Sequence, residues 1–548
     1  MTDIRSRRGR RRGALLPAAL AAGALVLTAC TAAPETSGTA PEFELTSQTT
    51  EPSGDIDSFT WATYAEPYSL DYAYAFDYAD NQILSNVCES LLRLNPDYSL
   101  SPGLAESFAN PTPTTWVYEI RPGVTFHDGA PLTAADVVAS MQRHLDPAVG
   151  SFWYSVYQNV TSIEQTGDLE VTVTTAVPDS QFNQGLGGAA GVIESAAALA
   201  AAGADYGNST GLVDCTGPFE LSDWTSGESI TLTRFDDYWD PSLQAKAGEV
   251  RFVFLGDPTA RINAMTSGDV DGGWMLPVDG IPQLQATGGE VSFGLTTAVN
   301  DLVVSNLEGP LGDVRVRRAL LMALDREGIL SAGAGGYGEV SNALTTPSVW
   351  GGASDATRED AFSGLEEYPH DVEAAKRLIE EAGATGQKIV IATAPITNEF
   401  TVVSQATVAA AKSIGLEAEI ETVTPSAYTA LFSDPSAREG VDLFFTTWYL
   451  SSPDPLEMFA VLRTGEFSNY GGWSDAEFDD IATEAVGTAD PEARAKLADR
   501  LQHIANEELP WLPLSSSPTT VYQGERITGV APSIAFLYFP WAATIGAR

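Results

Sequence analysis

Cysteine occurs three times and histidine four times in 548 residues, and Lys plus Arg number 29 against 73 Asp plus Glu. So few cysteines exclude a small disulfide-stapled scaffold. Four histidines with no close pair give little material for a metal site, so no metal or cofactor is expected. The formal charge is −44, and six of the basic residues, Arg5, Arg7, Arg8, Arg10, Arg11 and Arg12, lie in the first twelve positions. Without residues 1–29, whose one acid is Asp3, the balance is 23 − 72 = −49. Nucleic-acid binding needs clustered cations facing phosphates, so a chain this acidic is expected to bind no nucleic acid. Hydrophobic residues make up 44%, too many for a disordered chain. At roughly 100–200 residues per domain the length allows two to four packed units.

A long apolar run is present at Ala14–Ala29. Its sixteen residues include Pro17, which is marginal for a membrane span of about twenty. The basic block at 5–12 before it and the small residues Thr28 and Ala29 at its end give residues 1–29 the layout of a secretion signal. The order Leu27-Thr28-Ala29-Cys30 resembles the bacterial lipobox, which implies that Cys30 becomes a lipidated N-terminus holding the chain to the cell membrane. Ser6-Arg7-Arg8 is similar to part of a twin-arginine signal, so the export route stays open. Residues 30–57, rich in Thr, Pro, Ser, Glu and Ala, read as a flexible lipidated tether. Export leaves Cys88 and Cys215 in an oxidising compartment, where a disulfide between them is the natural pairing and two buried free thiols are the alternative.

From Ser58 to about Gly256, β-branched alternation predicts strands at 58–63, 115–120, 169–175, 229–234 and 249–255 in an antiparallel or mixed sheet. A helix is predicted after Thr133, with Asp136 completing a capping-box-like pair. From Asp301 the rhythm changes. Helices at 314–325 and 371–382, the latter stopped by Gly383, lead into strand 388–393, helix 399–413, strand 416–423, helix 426–432 and strand 441–447. Helices at 475–485 and 491–507 precede a strand near 511–516. Alternation at this spacing predicts α/β units on a parallel sheet. Two lobes of different α/β character imply a cleft between them, since ligand sites favour such interfaces and the carboxyl ends of parallel strands.

Enzyme signatures are weak. Gly207-Asn208-Ser209-Thr210-Gly211 matches G-x-S-x-G, but it follows an Ala-rich helical run at 195–202 where a nucleophile elbow requires a strand. Gly268-Asp269-Val270-Asp271-Gly272 lacks the later ligands of a calcium loop. No pair of carboxylates is singled out for hydrolysis. An enzymatic role is not expected. His127 and His144 read as hydrogen-bonded structural residues.

Residues Trp116 to Gly129, running Trp-Val-Tyr-Glu-Ile-Arg-Pro-Gly-Val-Thr-Phe-His-Asp-Gly, with Leu132-Thr133-Ala134-Ala135-Asp136-Val137, resemble the signature of family 5 extracellular solute-binding proteins. Further stretches are similar in the same order. They are Cys215 to Phe219 with Tyr238-Trp239, Gly268 to Asp271, Asp313 to Leu320, Tyr368 to Gly383, Asn469-Tyr470-Gly471 and Pro510 to Leu514. The resemblance implies a periplasmic-binding-protein-like, two-lobed α/β clamp that closes on a solute and passes it to a membrane permease driven by ATPase subunits. It implies lobe I at 58–298 with an inserted subdomain at about 93–212, lobe II at 299–513, and a C-terminal return to lobe I at 514–548. A monomer is expected. A sensor binding the same ligands without import, and a secreted hydrolase, are the alternatives. Gly123, Gly129 and Gly217 read as turn residues, and Arg315, Arg317 and Arg318 as partners of surface acids.

In the family's peptide-binding members, a second-lobe Trp is followed three residues later by an Asp that pairs with the peptide's α-ammonium. The similar segment here is Trp448-Tyr449-Leu450-Ser451-Ser452-Pro453-Asp454-Pro455, with Ser451 in the Asp position. An ammonium buried without a carboxylate loses a charge-assisted bond of roughly 1.5–3 kcal/mol. Ser451 therefore suits a neutral, sugar-like solute, with Trp448, Tyr449, Trp274 and Tyr64 as stacking surfaces. Asp454 and Glu66 are the carboxylates available to hold an ammonium if the ligand is a short peptide.

Overall fold

The computed structural model describes residue 41, residues 43–211 and residues 213–548. The expected secretion signal 1–29 and Cys30 lie outside the described residues. Two main sheets carry the two lobes. The first orders its seven strands Phe219–Thr225, Ser229–Arg234, Ala247–Phe254, Ile56–Thr63, Gly272–Trp274, Thr519–Gln523 and Glu290–Gly294. Ile56–Thr63 runs parallel to both its neighbours, and the other pairs are antiparallel. The second orders its six strands Glu339–Val340, Trp511–Ser516, Ala298–Val304, Leu443–Tyr449, Lys388–Thr393 and Glu417–Thr422. This is the two-lobed clamp.

The second sheet corrects one expectation. Lys388–Thr393 is parallel to its two neighbours, but Ala298–Val304, Trp511–Ser516 and Glu339–Val340 pair antiparallel, so the sheet is mixed. The reason is that Ala298–Val304 enters directly from the first lobe and Trp511–Ser516 leaves directly for it, with no crossover helix between the sheets to reverse them. The expected limit of lobe II at 513 falls inside Trp511–Ser516, and the chain regains the first sheet at Thr519.

A four-stranded antiparallel sheet, with hairpins Ala105–Thr112/Thr115–Ile120 and Val160–Gln165/Glu170–Thr175, forms the subdomain inserted in the first lobe. Helix Ala134–Arg143 packs on it, opened by a capping box in which Thr133 and Asp136 exchange hydrogen bonds. At the other end of that helix Arg143 reaches Asp71 and Glu194, each at 2.6 Å, two carboxylates with side chains only 3% exposed. Cys88 and Cys215, both buried, form a disulfide. Gly217 follows it closely because a Cβ there would lie 2.5 Å from the Val87 carbonyl.

The segment expected to be a solvated tether is docked from residue 43. The Phe43 ring lies 5.2 Å from Phe293 and 6.0 Å from Tyr337, Thr46 N donates to Phe293 O at 2.8 Å, and Ser53 N donates to Ala547 O at 2.8 Å. Edge strand Glu290–Gly294 offers a free row of backbone groups, and Phe43 supplies apolar area to cover it. Of the three arginines expected on a helix surface, Arg315 pairs with Asp313 at 2.6 Å and Arg318 with Glu366 at 3.0 Å. Arg317 is instead buried. It donates to the Leu311 and Glu508 carbonyls at 2.6 Å each, closing the end of helix Pro491–Glu508.

Candidate functional site

The lobes meet where strand Leu443–Tyr449 ends opposite the N-terminus of helix Tyr78–Leu84. Asp77 caps that helix, accepting from Tyr78 N at 2.8 Å, and its carboxylate also accepts from the Tyr64 hydroxyl at 2.6 Å. From the second lobe, the Tyr449 hydroxyl donates to the Phe76 carbonyl at 3.0 Å, and the Tyr449 ring lies 5.3 Å from that of Tyr78. Thr297 Oγ1, on the crossing between lobes, donates to Leu450 O at 2.8 Å. One residue on, the Ser451 carbonyl lies against Gly188 of the first lobe, where a Cβ would sit 3.5 Å from it.

Ser451 and Ser452 turn towards one carboxylate. Glu457, at the start of helix Leu456–Val461, accepts from Ser451 N and Oγ at 2.9 Å and from Ser452 N and Oγ at 2.8 Å. Burial raises the Glu457 pKa, and these donors oppose the rise. A carboxylate therefore does stand at Ser451, supplied by the next helix. Its signal in the sequence, two adjacent serines five and six positions before a glutamate, is too common to be read unaided.

A second carboxylate stands behind the first-lobe side. Asp80 is 1% exposed, accepts from Tyr68 N at 2.7 Å, and leaves Oδ2 without a partner among the described residues. Burial pushes its pKa up to about 7. Tyr449, Tyr78 and the Asp77 carboxylate lie at the junction, and Asp80 is buried behind them.

The residues singled out in the sequence are only partly assembled here. Tyr449 and Ser451 stand at the junction, and Tyr64 reaches its edge through Asp77. Trp448 is half-buried behind it, its ring 5.3 Å from Trp511 inside the second lobe. Asp454 is paired at 2.7 Å with Arg494, both side chains 6% exposed, and is not rearranged towards Ser451. Trp274 lies in the first-lobe core, stacked 4.3 Å from Phe536, because its strand faces the C-terminal segment. Glu66 holds a hairpin of the same lobe, accepting from Trp224 Nε1 at 2.9 Å and Gly227 N at 3.0 Å. Asp77, Tyr78, Asp80 and Glu457 were not singled out, since their roles depend on contacts between distant segments.

Among the described residues no group of three His, Cys, Asp or Glu is placed to hold a metal ion. His127 Nε2 is 3.0 Å from Gly217 O and His144 Nδ1 is 2.6 Å from Ser151 Oγ. Burial lowers the two imidazoles to about 4 and about 3 respectively, so both are neutral at pH 7. Among the described residues no helix is long and apolar enough to cross a membrane.

Three relatives show what the chain is similar to. The glutathione-binding protein GsiB of Escherichia coli K12 is 24% identical over 483 residues, covering 86% of this chain and 91% of GsiB. The structure of AgaA from A. tumefaciens R10, in complex with agropinic acid, superposes with a TM-score of 0.76 at 22% identity, covering 90% of this chain and 99% of AgaA. The oligopeptide-binding protein AppA of Bacillus subtilis, in complex with a nonapeptide, gives 0.74 at 21% identity, covering 91% and 100%. The model of the bacterial extracellular solute-binding proteins, family 5, matches residues 99–470, more than half of the chain, so this two-lobed protein belongs to that family.

Proposed function

We propose that the protein is the substrate-binding lipoprotein of an ABC importer, capturing a short peptide or another small polar solute between its lobes and delivering it to the permease and ATPase subunits. The observation that carries this reading is the junction itself, where Tyr449 and Ser451 from one lobe face Phe76, Tyr78 and Gly188 from the other. A solute held there touches both lobes, so its binding favours closure, and closure is what a permease can sense. Tyr449, Ser451 and Tyr64 make the direct contacts in this reading, with Trp448 supporting them. Trp274, Asp454 and Glu66 act through the walls they stiffen. The protein binds without turnover, works outside the cytoplasm as a monomer, and is held to the cell membrane by lipid on Cys30.

Glu457 changes what Ser451 implies. Its carboxylate stands beside Ser451, so a ligand ammonium is accepted there by exchange with the serine hydroxyls. Native mass spectrometry of the protein as purified is expected to show a bound solute, and calorimetry with free and N-acetylated alanine peptides reads the ammonium. A loss of about tenfold or more on acetylation supports the Glu457 reading, and equal affinities sink it in favour of a neutral solute. Tyr449→Phe, which removes one hydrogen bond across the lobes, is expected to weaken the same ligand by about 0.5–1.5 kcal/mol. Globomycin-sensitive processing, with loss of membrane association in Cys30→Ser, checks the anchor.

A further inference from the structure

The loop that carries Ser451 continues past Pro453 into the wall of a cavity of about 280 Å³ built from both lobes. Tyr98 and Gln184 line it from the first lobe, and Trp350, Gly351, Pro453 and Arg494 from the second. Its walls exist together only when the lobes are together, as for the junction beside it.

Three features set this cavity apart from a packing gap. Tyr98 has φ 63°, a left-handed conformation that is strained for a non-glycine residue. It is held there by its hydroxyl, which donates to Leu295 O at 3.0 Å on the crossing between lobes and accepts from Ile534 N at 3.2 Å. Arg494 is fixed by Asp454 at 2.7 Å and by the Thr488 and Ala489 carbonyls at 3.0 and 3.2 Å, so the wall contains a charge pair that cancels. Gln184 is half-buried, and its amide makes no side-chain hydrogen bond among the described residues.

The chemistry of the occupant follows. A space of about 280 Å³ has room for one group of a larger solute. A charged group would find its counter-ion already engaged by Asp454 or Arg494. A purely apolar group would cover the Gln184 amide and leave it unsatisfied. Leu100, Ala353 and Pro491, which line the cavity and are not fully buried, supply apolar surface beside the polar groups. We propose that the cavity is a second subsite, which in the closed protein takes one uncharged, hydrogen-bonding side chain of the bound solute, such as a primary amide. This inference rests on the reading of the junction as the solute site.

Gly351 provides the test. It has φ −61°, open to any residue, and a Cβ there would meet nothing nearer than Tyr98 O at 3.8 Å, so Gly351→Leu fills the cavity without backbone strain. The probes are alanine tri-, tetra- and pentapeptides with Gln or Glu placed at each position in turn, measured by calorimetry. In the wild type, Gln at one position is expected to bind about tenfold or more better than Ala or Glu. Gly351→Leu is expected to abolish that preference while binding the all-alanine peptide as well as before. Gln184→Met, on the opposite lobe, is expected to abolish it too. Absence of any Gln preference in the wild type, or its survival in both variants, overturns the subsite.

Native mass spectrometry adds a readout free of peptides. Wild type is expected to retain a co-purified solute that Gly351→Leu lacks, and equal occupancy by the same mass overturns the subsite. A wild type that neither carries a solute nor binds any peptide overturns instead the solute site on which this inference stands, and the subsite falls with it.

Discussion

The two lobes are held together by different means. The first depends on links between distant segments. Its disulfide joins residues 127 positions apart, its sheet admits the late strand Thr519–Gln523 between Gly272–Trp274 and Glu290–Gly294, and Arg526 pairs with Asp271 at 2.8 Å across 255 positions. The second also pairs distant strands, with Ala298–Val304 between Leu443–Tyr449 and Trp511–Ser516, but it has no disulfide among the described residues and its helices are closed by local caps. Asp371 caps helix Val372–Ala382 and Gly383 ends it, Asp475 caps Ala476–Val486, and Asp490 caps Pro491–Glu508. Long-range links carry a high loop-closure cost before they reward the chain, whereas local caps act at once. The first lobe should therefore be stabilised by a few large contributions and the second by many small ones.

The largest test removes the disulfide. Replacing Cys88 and Cys215 together by Ser frees a loop of 127 positions, and chain entropy puts the loss at about 4–5 kcal/mol. Hydrogen exchange should show first-lobe amides losing protection while those of Lys388–Thr393 keep it. An equal loss in both lobes would break the comparison. Arg143→Met comes next. It strands Asp71 and Glu194, both buried, and an uncompensated buried charge costs about 3–5 kcal/mol. Burial and the neighbouring Asp71 already raise the Glu194 pKa, and removing Arg143 raises it further, so the loss should shrink as pH falls and the carboxyl takes up a proton.

A smaller effect, seen as a slope, comes from Asp80. Its pKa is raised by burial from 3.8 to about 7, so between those values the folded chain keeps a proton that the unfolded chain has released. Stability therefore falls as pH rises through that window. Asp80→Asn should flatten the fall, and chemical denaturation at pH 4, 6 and 8 measures it. The smallest belongs to the second lobe. Gly383 has φ 68°, and a Cβ there would meet nothing within 4 Å, so Gly383→Ala pays only for the left-handed backbone, about 1 kcal/mol. A loss as large as that of the disulfide variant would erase the distinction between the lobes.

The same difference explains what could be read in the sequence. Lys388–Thr393 and Trp511–Ser516 fall where alternation places them, and helix Ala134–Arg143 begins at the Thr133 and Asp136 pair. These signals are local. Ala298–Val304 is buried on both faces, so it shows no alternation, and it carries Asn300 and Asp301 besides; it escaped the reading for that reason. Thr519–Gln523 is likewise buried throughout and finds its place only through partners more than two hundred positions away. At the site, Tyr449 and Ser451 were legible through the family's motif. Glu457 was not, because a carboxylate standing at Ser451 follows from how one loop meets the next helix.

The chain passes between the lobes at two places, residues 295–297 and 517–518, and these passages lie together. Gly294 pairs with Thr519, and Thr519 Oγ1 donates to Leu295 O at 3.0 Å. Two strips fastened side by side bend readily across their width and resist twisting along it, as a leaf hinge does. The expected motion of the lobes is then a rotation about one axis. A single pair of distance labels, one per lobe, would suffice to follow it, and solutes of different bulk would register as different stopping points on the same arc.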